Sequence, residues 1–404
     1  MTRKLSFCFF TLLLCAGMAF AQKHALPRLS LKSYHPAPKA SALATRNAAG
    51  VGLPLFTYTV KSSRDHNTYS GAILGNRPFN NGGGTVSVKT QIIPVIFVTK
   101  RIATNISKTG FLTTAPGITQ SHNPTTADNA CLTAPNNHPV ALTLQSPIFT
   151  PTDFSFGGTN VGKTQYIDAF QRAEFWDVIN RSTYHMKLSP VATLPPIVVN
   201  VPAASGLSIP ASFFGLCGAF GLVDIGFFDS LLDNVILPSL ASKGVNPGTF
   251  PIFELYNVAL TAGDPRDLAN NCCIGGYHSI SVNFQTYSPA LFDTTGFFGP
   301  SAENTAILAH EVGEWANDPS TFNPTPAWGH TGQVGRCQGN LEVGDPLTGT
   351  NIPPVTMPNG FTYNLQELAF FSWFFGAPTI GLNGWFSDNG TFLHDAGPPC
   401  RNTP

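Results

Sequence analysis

Apolar positions recur with a period near two in some stretches of this chain and near 3.6 in others, so strands and helices interleave. Residues 85–99 alternate and close on the run Ile92-Ile93-Pro94-Val95-Ile96-Phe97-Val98, which predicts a buried strand. Pro94 has no N–H to give a ladder and so marks an edge or a bulge. Upstream, residues 56–60 read as one short strand. Residues 100–160 read as loop. Residues 164–179 place Tyr166, Phe170 and Ala173 near one face, with Ile167, Phe175 and Trp176 widening it, and predict a helix. Then come a strand at 197–201, a helix at 227–240 and strands at 250–260 and 277–287. Another helix is expected from Ser301 as N-cap, with Asn304 at the third position, and Pro319 ends it near Asn317 or Asp318. Residues 366–375 are very apolar and predict a last helix in the core. No internal repeat is visible. The order predicts an α+β fold: a mixed sheet, one central helix, and a mainly helical and loop C-terminal part.

The ends change the picture of where the protein works. Arg3 and Lys4, the apolar stretch 5–16 and Ala19-Phe20-Ala21 read as a signal peptide over residues 1–21. Residues 22–84, rich in Ala, Pro and Ser and ending in Asn80-Asn81-Gly82-Gly83-Gly84, read as an extended arm or propeptide. Residues 85–404 then form the main domain, with lobes 85–300 and 301–404 as the alternative division. No later stretch is apolar enough to span a bilayer. A secreted or periplasmic protein is expected.

Loss of Arg3 and Lys4 takes a chain of 22 basic and 22 acidic side chains to a net charge of about −2, which gives nucleic acid no electrostatic hold. Charged residues are 11% of the chain, against about 25% in typical soluble proteins. Cys131, Cys217, Cys272, Cys273, Cys337 and Cys400 remain after cleavage, an even number that suits up to three disulfides.

Against so few charges, one cluster stands out. Of seven glutamates, four fall between Glu303 and Glu342, and two lie in His310-Glu311-Val312-Gly313-Glu314. On a helix, His310 and Glu314 share a face about 6 Å apart and can grip one cation. Glu311 then points at a metal-bound water as general base. A catalytic zinc needs three protein ligands and an open position. Glu342 is the expected third ligand, and Asp345 is expected to take a hydrogen bond from the far nitrogen of His310. His330 is the alternative, as ligand or oxyanion stabiliser, against a plain loop histidine. Tyr277, His278 and Tyr287 lie in the preceding strand, where Tyr287 is a candidate oxyanion donor and packing is the competing role. Asp318 lies too far along the helix to ligate and reads as a helix-terminal hydrogen-bonding group near the site.

These residues resemble the gluzincin branch of the zincin metalloproteases, whose helix carries H-E-x-x-H and whose next helix carries N-E-x-x-S-D. They are more similar to a group of exported bacterial proteins with H-E-x-x-E, T-D-P and G-E-I-G-D. Here those pieces are His310 to Glu314, Asn317-Asp318-Pro319 and Leu341-Glu342-Val343-Gly344-Asp345, about a tenth of the chain. The resemblance implies a zincin-like fold and a zinc endopeptidase acting on protein or peptide substrates. It implies Glu311 as base and His310, Glu314 and Glu342 as ligands. Glu314 departs from the family's second His; one imidazole with two carboxylates is a harder set that also admits Ca²⁺ or Mn²⁺. The competing classes are a non-catalytic exported protein with a structural metal site, and a zincin fold without activity.

Overall fold

A computed structural model describes residues 30–32, 34, 52–79, 83–132, 138–376 and 378–401. The expected signal peptide lies outside the described residues, as does much of the expected arm. Within that arm, Leu55–Lys61 and Thr68–Leu74 form an antiparallel hairpin. Its Phe56, Tyr58, Ile73 and Leu74 are buried in the main core.

Around the long strand Thr85–Ile106 an eleven-stranded mixed sheet is built among the described residues. The path runs from Cys272–Ile274 through Val258–Thr261, Phe220–Asp224 and Gly206–Ile209 to the long strand. It continues through Thr249–Tyr256 and Thr286–Phe292 to Ser279–Ile280. Pro94 is central, not at an edge. One neighbour of the long strand ends at the pair Ile92↔Thr193 and the next begins at Val95↔Ile197, so Pro94 falls where partners change. The proline costs that side no ladder bond.

Other expectations shift. Residues 100–160 contain more than loop: the strand Leu112–His122 pairs with the long strand, and Thr152–Phe156 pairs with Thr159–Thr164. The helix expected at 164–179 is Tyr166–Glu174 and Trp176–Ile179, broken at Phe175. The strand expected at 250–260 breaks at Asn257, which has a φ of 50°. Its two halves pair with different strands. Of residues 277–287 only Ser279–Ile280 is strand before a turn; the principal strand is Thr286–Phe292, buried at every position. Burial on both faces removes the alternation that a half-buried strand would show. C-terminal to the motif, where a mainly helical and loop part is expected, two hairpins form: Pro324–Thr331 with Val334–Asn340, and Val355–Thr356 with Thr362–Tyr363. Only Phe371–Phe375 of residues 366–375 is helical.

Helices cover both faces of the sheet. On one, Ile93, Val95 and Phe97 pack with Phe228 and Leu232 of the helical stretch 225–240. On the other, Ile92 belongs to a core that also takes in Ile307, Leu308, Val312 and Trp315 of the motif helix Ala306–Asn317. Trp315 stacks on Phe250 at 3.5 Å, and its indole N–H donates to Thr286 Oγ1 at 3.0 Å. Ser301 does not cap this helix; it lies in a separate turn, Pro300–Ala302, and Thr305 precedes the first helical residue. Among the described residues no helix is long and apolar enough to cross a membrane.

Candidate metal centre

All twelve residues of the motif helix are buried, so its polar side chains must find partners inside the protein. The Gln366 amide nitrogen donates to Gly344 O at 2.6 Å, which turns its oxygen toward His310. His310 Nδ1–H donates to that oxygen at 3.1 Å. Nε2 is thereby left facing Glu314 Oε2 at 3.1 Å and Asp345 Oδ1 at 3.7 Å. Glu314 is held by its other oxygen, which accepts from Gly344 N at 3.2 Å and Asp345 N at 3.1 Å. Asp345 accepts from Gln333 and, at 3.0 Å, from Gln338.

A second histidine completes the cluster. His278 Nε2–H donates to the Asp318 carbonyl at 3.1 Å, an oxygen that can only accept. Its Nδ1 then faces Glu311 Oε2 at 3.8 Å and Glu314 Oε2 at 3.6 Å. Glu342 Oε2 stands 3.7 Å from His278 Nε2, while Oε1 accepts from Asn340 at 2.5 Å. Glu311 Oε2 is buried and has no hydrogen-bond partner among the described residues. Two sets of ligand atoms lie within 4.8 Å of one another: His310, Glu314 and Asp345, and His278, Glu311 and Glu314.

Five carboxylates thus surround two imidazoles away from water. Burial pulls the His310 pKa down, but Glu314, Glu311 and Asp345 outweigh it and raise it to about 10. His278 is raised to about 9, burial again being outweighed, by Glu342, Glu311 and Glu314. Burial also lifts Glu314, with Glu342 and Asp345 adding to it and His310 opposing. Such a site is short of positive charge, and a divalent cation supplies it. The donor chemistry, imidazole and carboxylate with an orphaned carboxylate oxygen, fits a metal ion.

Six of the residues singled out in the sequence therefore meet: His310, Glu311, Glu314, Asp318, Glu342 and Asp345. Their places differ in detail from expectation. Asp345 faces His310 Nε2, and Gln366 takes the far nitrogen instead. Glu342 faces His278. The Asp318 carboxylate accepts from Phe322 N at 2.8 Å and Asn323 N at 2.9 Å, closing the turn after the helix. His330 is exposed on the Pro324–Thr331 strand, beside Cys337 and Cys400, which are spent in a disulfide. The Tyr287 hydroxyl donates to Asp229 at 2.8 Å, in the core of the opposite face. Sequence reading passed over His278 as a ligand, and Gln366 altogether. Neither stands at a telling spacing from the motif; tertiary folding alone brings them in.

Glycines make the room. A Cβ on Gly344 would sit 2.5 Å from His310 Nδ1, and one on Gly276 would sit 2.8 Å from Glu311 Oε1. Between His310, Glu311, Gly275, Gly276 and Gln366 lies a cavity of about 20 Å³, which Leu31 and Lys32 also line. It is large enough for one water molecule.

Comparison with protein families, with curated proteins and with solved structures finds no match to this chain.

Proposed function

We propose that this protein is an exported, metal-dependent hydrolase of zincin type, acting as a zinc endopeptidase, with the ion held by His310 Nε2, Glu314 Oε2 and Asp345 Oδ1. The observation that carries this reading is the water-sized cavity between a tautomer-fixed ligand, His310, and Glu311, whose buried Oε2 has no hydrogen-bond partner among the described residues. When bound, the ion supplies Lewis acidity and makes water a nucleophile near neutral pH. Glu311 takes the proton from water in that cavity and delivers it to the leaving amine. Gln366 keeps the His310 proton on Nδ1, and the backbone N–H groups of Gly344 and Asp345 fix Glu314. One imidazole and two carboxylates hold zinc, with Mn²⁺ and Ca²⁺ as competitors. Cysteines paired as Cys131 with Cys217 and Cys337 with Cys400 suit an oxidising, extracellular setting.

The test is Glu311→Gln, an isosteric change at the base. Casein cleavage falls at least about 100-fold while bound metal stays near one ion per chain. Unchanged cleavage in that variant sinks the mechanism. Leu31 and Lys32, which also line the small cavity, favour a second reading, a structural ion without turnover. Under that reading chelator lowers the melting temperature and no preparation cleaves casein.

A further inference from the structure

The two sets of ligand atoms in the centre share one residue, Glu314, and the second set contains the candidate base. We propose that His278 Nδ1, Glu311 Oε2 and Glu314 Oε2 form a second, weaker divalent-cation site, and that filling it removes Glu311 from its role as base and silences the enzyme. The proposal rests on the one-ion hydrolase reading and adds metal-controlled inhibition to it.

Geometry carries the site. Ligand atoms around a tetrahedral ion at about 2.1 Å lie about 3.4 Å apart. His278 Nδ1 is 3.6 Å from Glu314 Oε2 and 3.8 Å from Glu311 Oε2, within a few tenths of an ångström of that spacing, and all three ligand atoms lie within 4.8 Å of one another. The imidazole is already turned for the task, because the Asp318 carbonyl takes the proton of Nε2. The waiting donor is Glu311 Oε2, in a side chain only 3% exposed and without a hydrogen-bond partner among the described residues. A buried carboxylate oxygen without a hydrogen bond is costly, and a cation beside it relieves that cost.

Charge supports the second site and also ranks it. Glu311, Glu314, Asp318, Glu342 and Asp345 bring five negative charges when ionised. One divalent ion leaves three unmatched and two ions leave one. Two cations sharing a carboxylate about 3.5–4 Å apart is a familiar separation for paired sites. Repulsion between them makes the second the weaker. His310, Glu314 and Asp345 fill first, because Nε2 is closest to its carboxylate partner there, at 3.1 Å.

The experiment titrates chelator-stripped full-length protein with Zn²⁺, and separately with Mn²⁺. Bound metal per chain is read by elemental analysis after gel filtration and by calorimetry; casein cleavage is read in parallel. Two binding events are expected, the second at least about tenfold weaker. Cleavage rises through the first equivalent and falls at least about tenfold through the second. His278→Gln keeps an amide that can donate to the Asp318 carbonyl; it is expected to bind a single ion and to lose the falling limb. Saturation at one ion per chain in the wild type overturns the proposal and leaves the one-ion reading standing. Cleavage that holds its peak through the second equivalent does the same. Two ions bound by His278→Gln also overturn it. Failure of the wild type to bind any ion removes the one-ion reading itself. The wild-type stoichiometry decides the matter even where the variant does not fold.

Discussion

A ring nitrogen can hold a metal only when the imidazole proton is kept on the other one, and Gln366 does this for His310. Gln366→Leu removes the acceptor and frees the tautomer. Ion affinity is expected to fall about 10–100-fold, measured by competition with a chelating dye, with the far-ultraviolet spectrum unchanged. An unchanged affinity would show that the orientation of His310 is set elsewhere. His310, Glu311 and Glu314 were legible in the sequence because helical spacing alone places them together. His278 and Gln366 were not, since each reaches the site from an irregular or extended segment that no local periodicity ties to the motif. Burial matters beyond the site too. Glu254, 2% exposed, lies in the middle of the sheet opposite Pro94. Burial raises its pKa to about 8, partly offset by Thr143. Because the folded pKa is the higher one, the folded state binds the proton more tightly than the unfolded chain does. The resulting stability is present below about pH 4.5 and is lost as pH rises toward about 8, on the order of 5 kcal/mol at full titration. Glu254→Gln carries no such charge, so its urea midpoint should overtake the wild type's across that window. Parallel profiles would refute it.

At the scale of elements, the motif helix is placed by a residue with poor helix propensity. Gly313 lies mid-helix, and a Cβ there would stand 2.3 Å from Leu368 Cδ1, itself fully buried. The close approach keeps the extended segment around Leu368, and hence Gln366, against the helix. Gly313→Val would gain about 0.5 kcal/mol in helix propensity and lose more to overpacking, a net cost of about 2 kcal/mol in chemical denaturation. A neutral result would mean that Leu368 has room to move. The helix's end was legible because Pro319 forces it, whereas its start was not: Ser301 looks like a cap but lies a turn too early. The strand Thr286–Phe292 escaped recognition for a different reason. Buried along its whole length, it carries no period to read. Asn257 broke a run that hydrophobicity alone made continuous, because its backbone turn depends on local geometry and not on side-chain polarity.

For the whole molecule, the mixed sheet with helices was readable from interleaved periods, but strand order was not, because pairing partners lie far apart in sequence. The cysteine pairs share that limit: six cysteines allow about 15 pairings, and only the fold chooses. Cys131–Cys217 spans 86 residues and Cys337–Cys400 spans 63. In the loop-closure account, opening either costs about 4 kcal/mol, since the logarithm of such similar lengths hardly differs. Their effects on the centre should nevertheless part. Cys337 belongs to the strand Val334–Asn340, whose Gln338 holds Asp345 and whose Asn340 holds Glu342. Cys400 anchors that strand to the irregular segment 395–401, where Arg64 also donates to Pro398 O at 2.6 Å. Cys131 and Cys217 lie elsewhere, the latter beside the carbonyl of Thr294. Replacing both cysteines of each pair by serine should therefore lower stability by similar amounts, while only the 337/400 variant loses ion affinity, by about tenfold or more. Thermal melts of the metal-free proteins test the first half and metal competition below the melting range tests the second. Equal loss of affinity in both variants would mean that the centre depends on global stability alone and not on the strand that carries its supports.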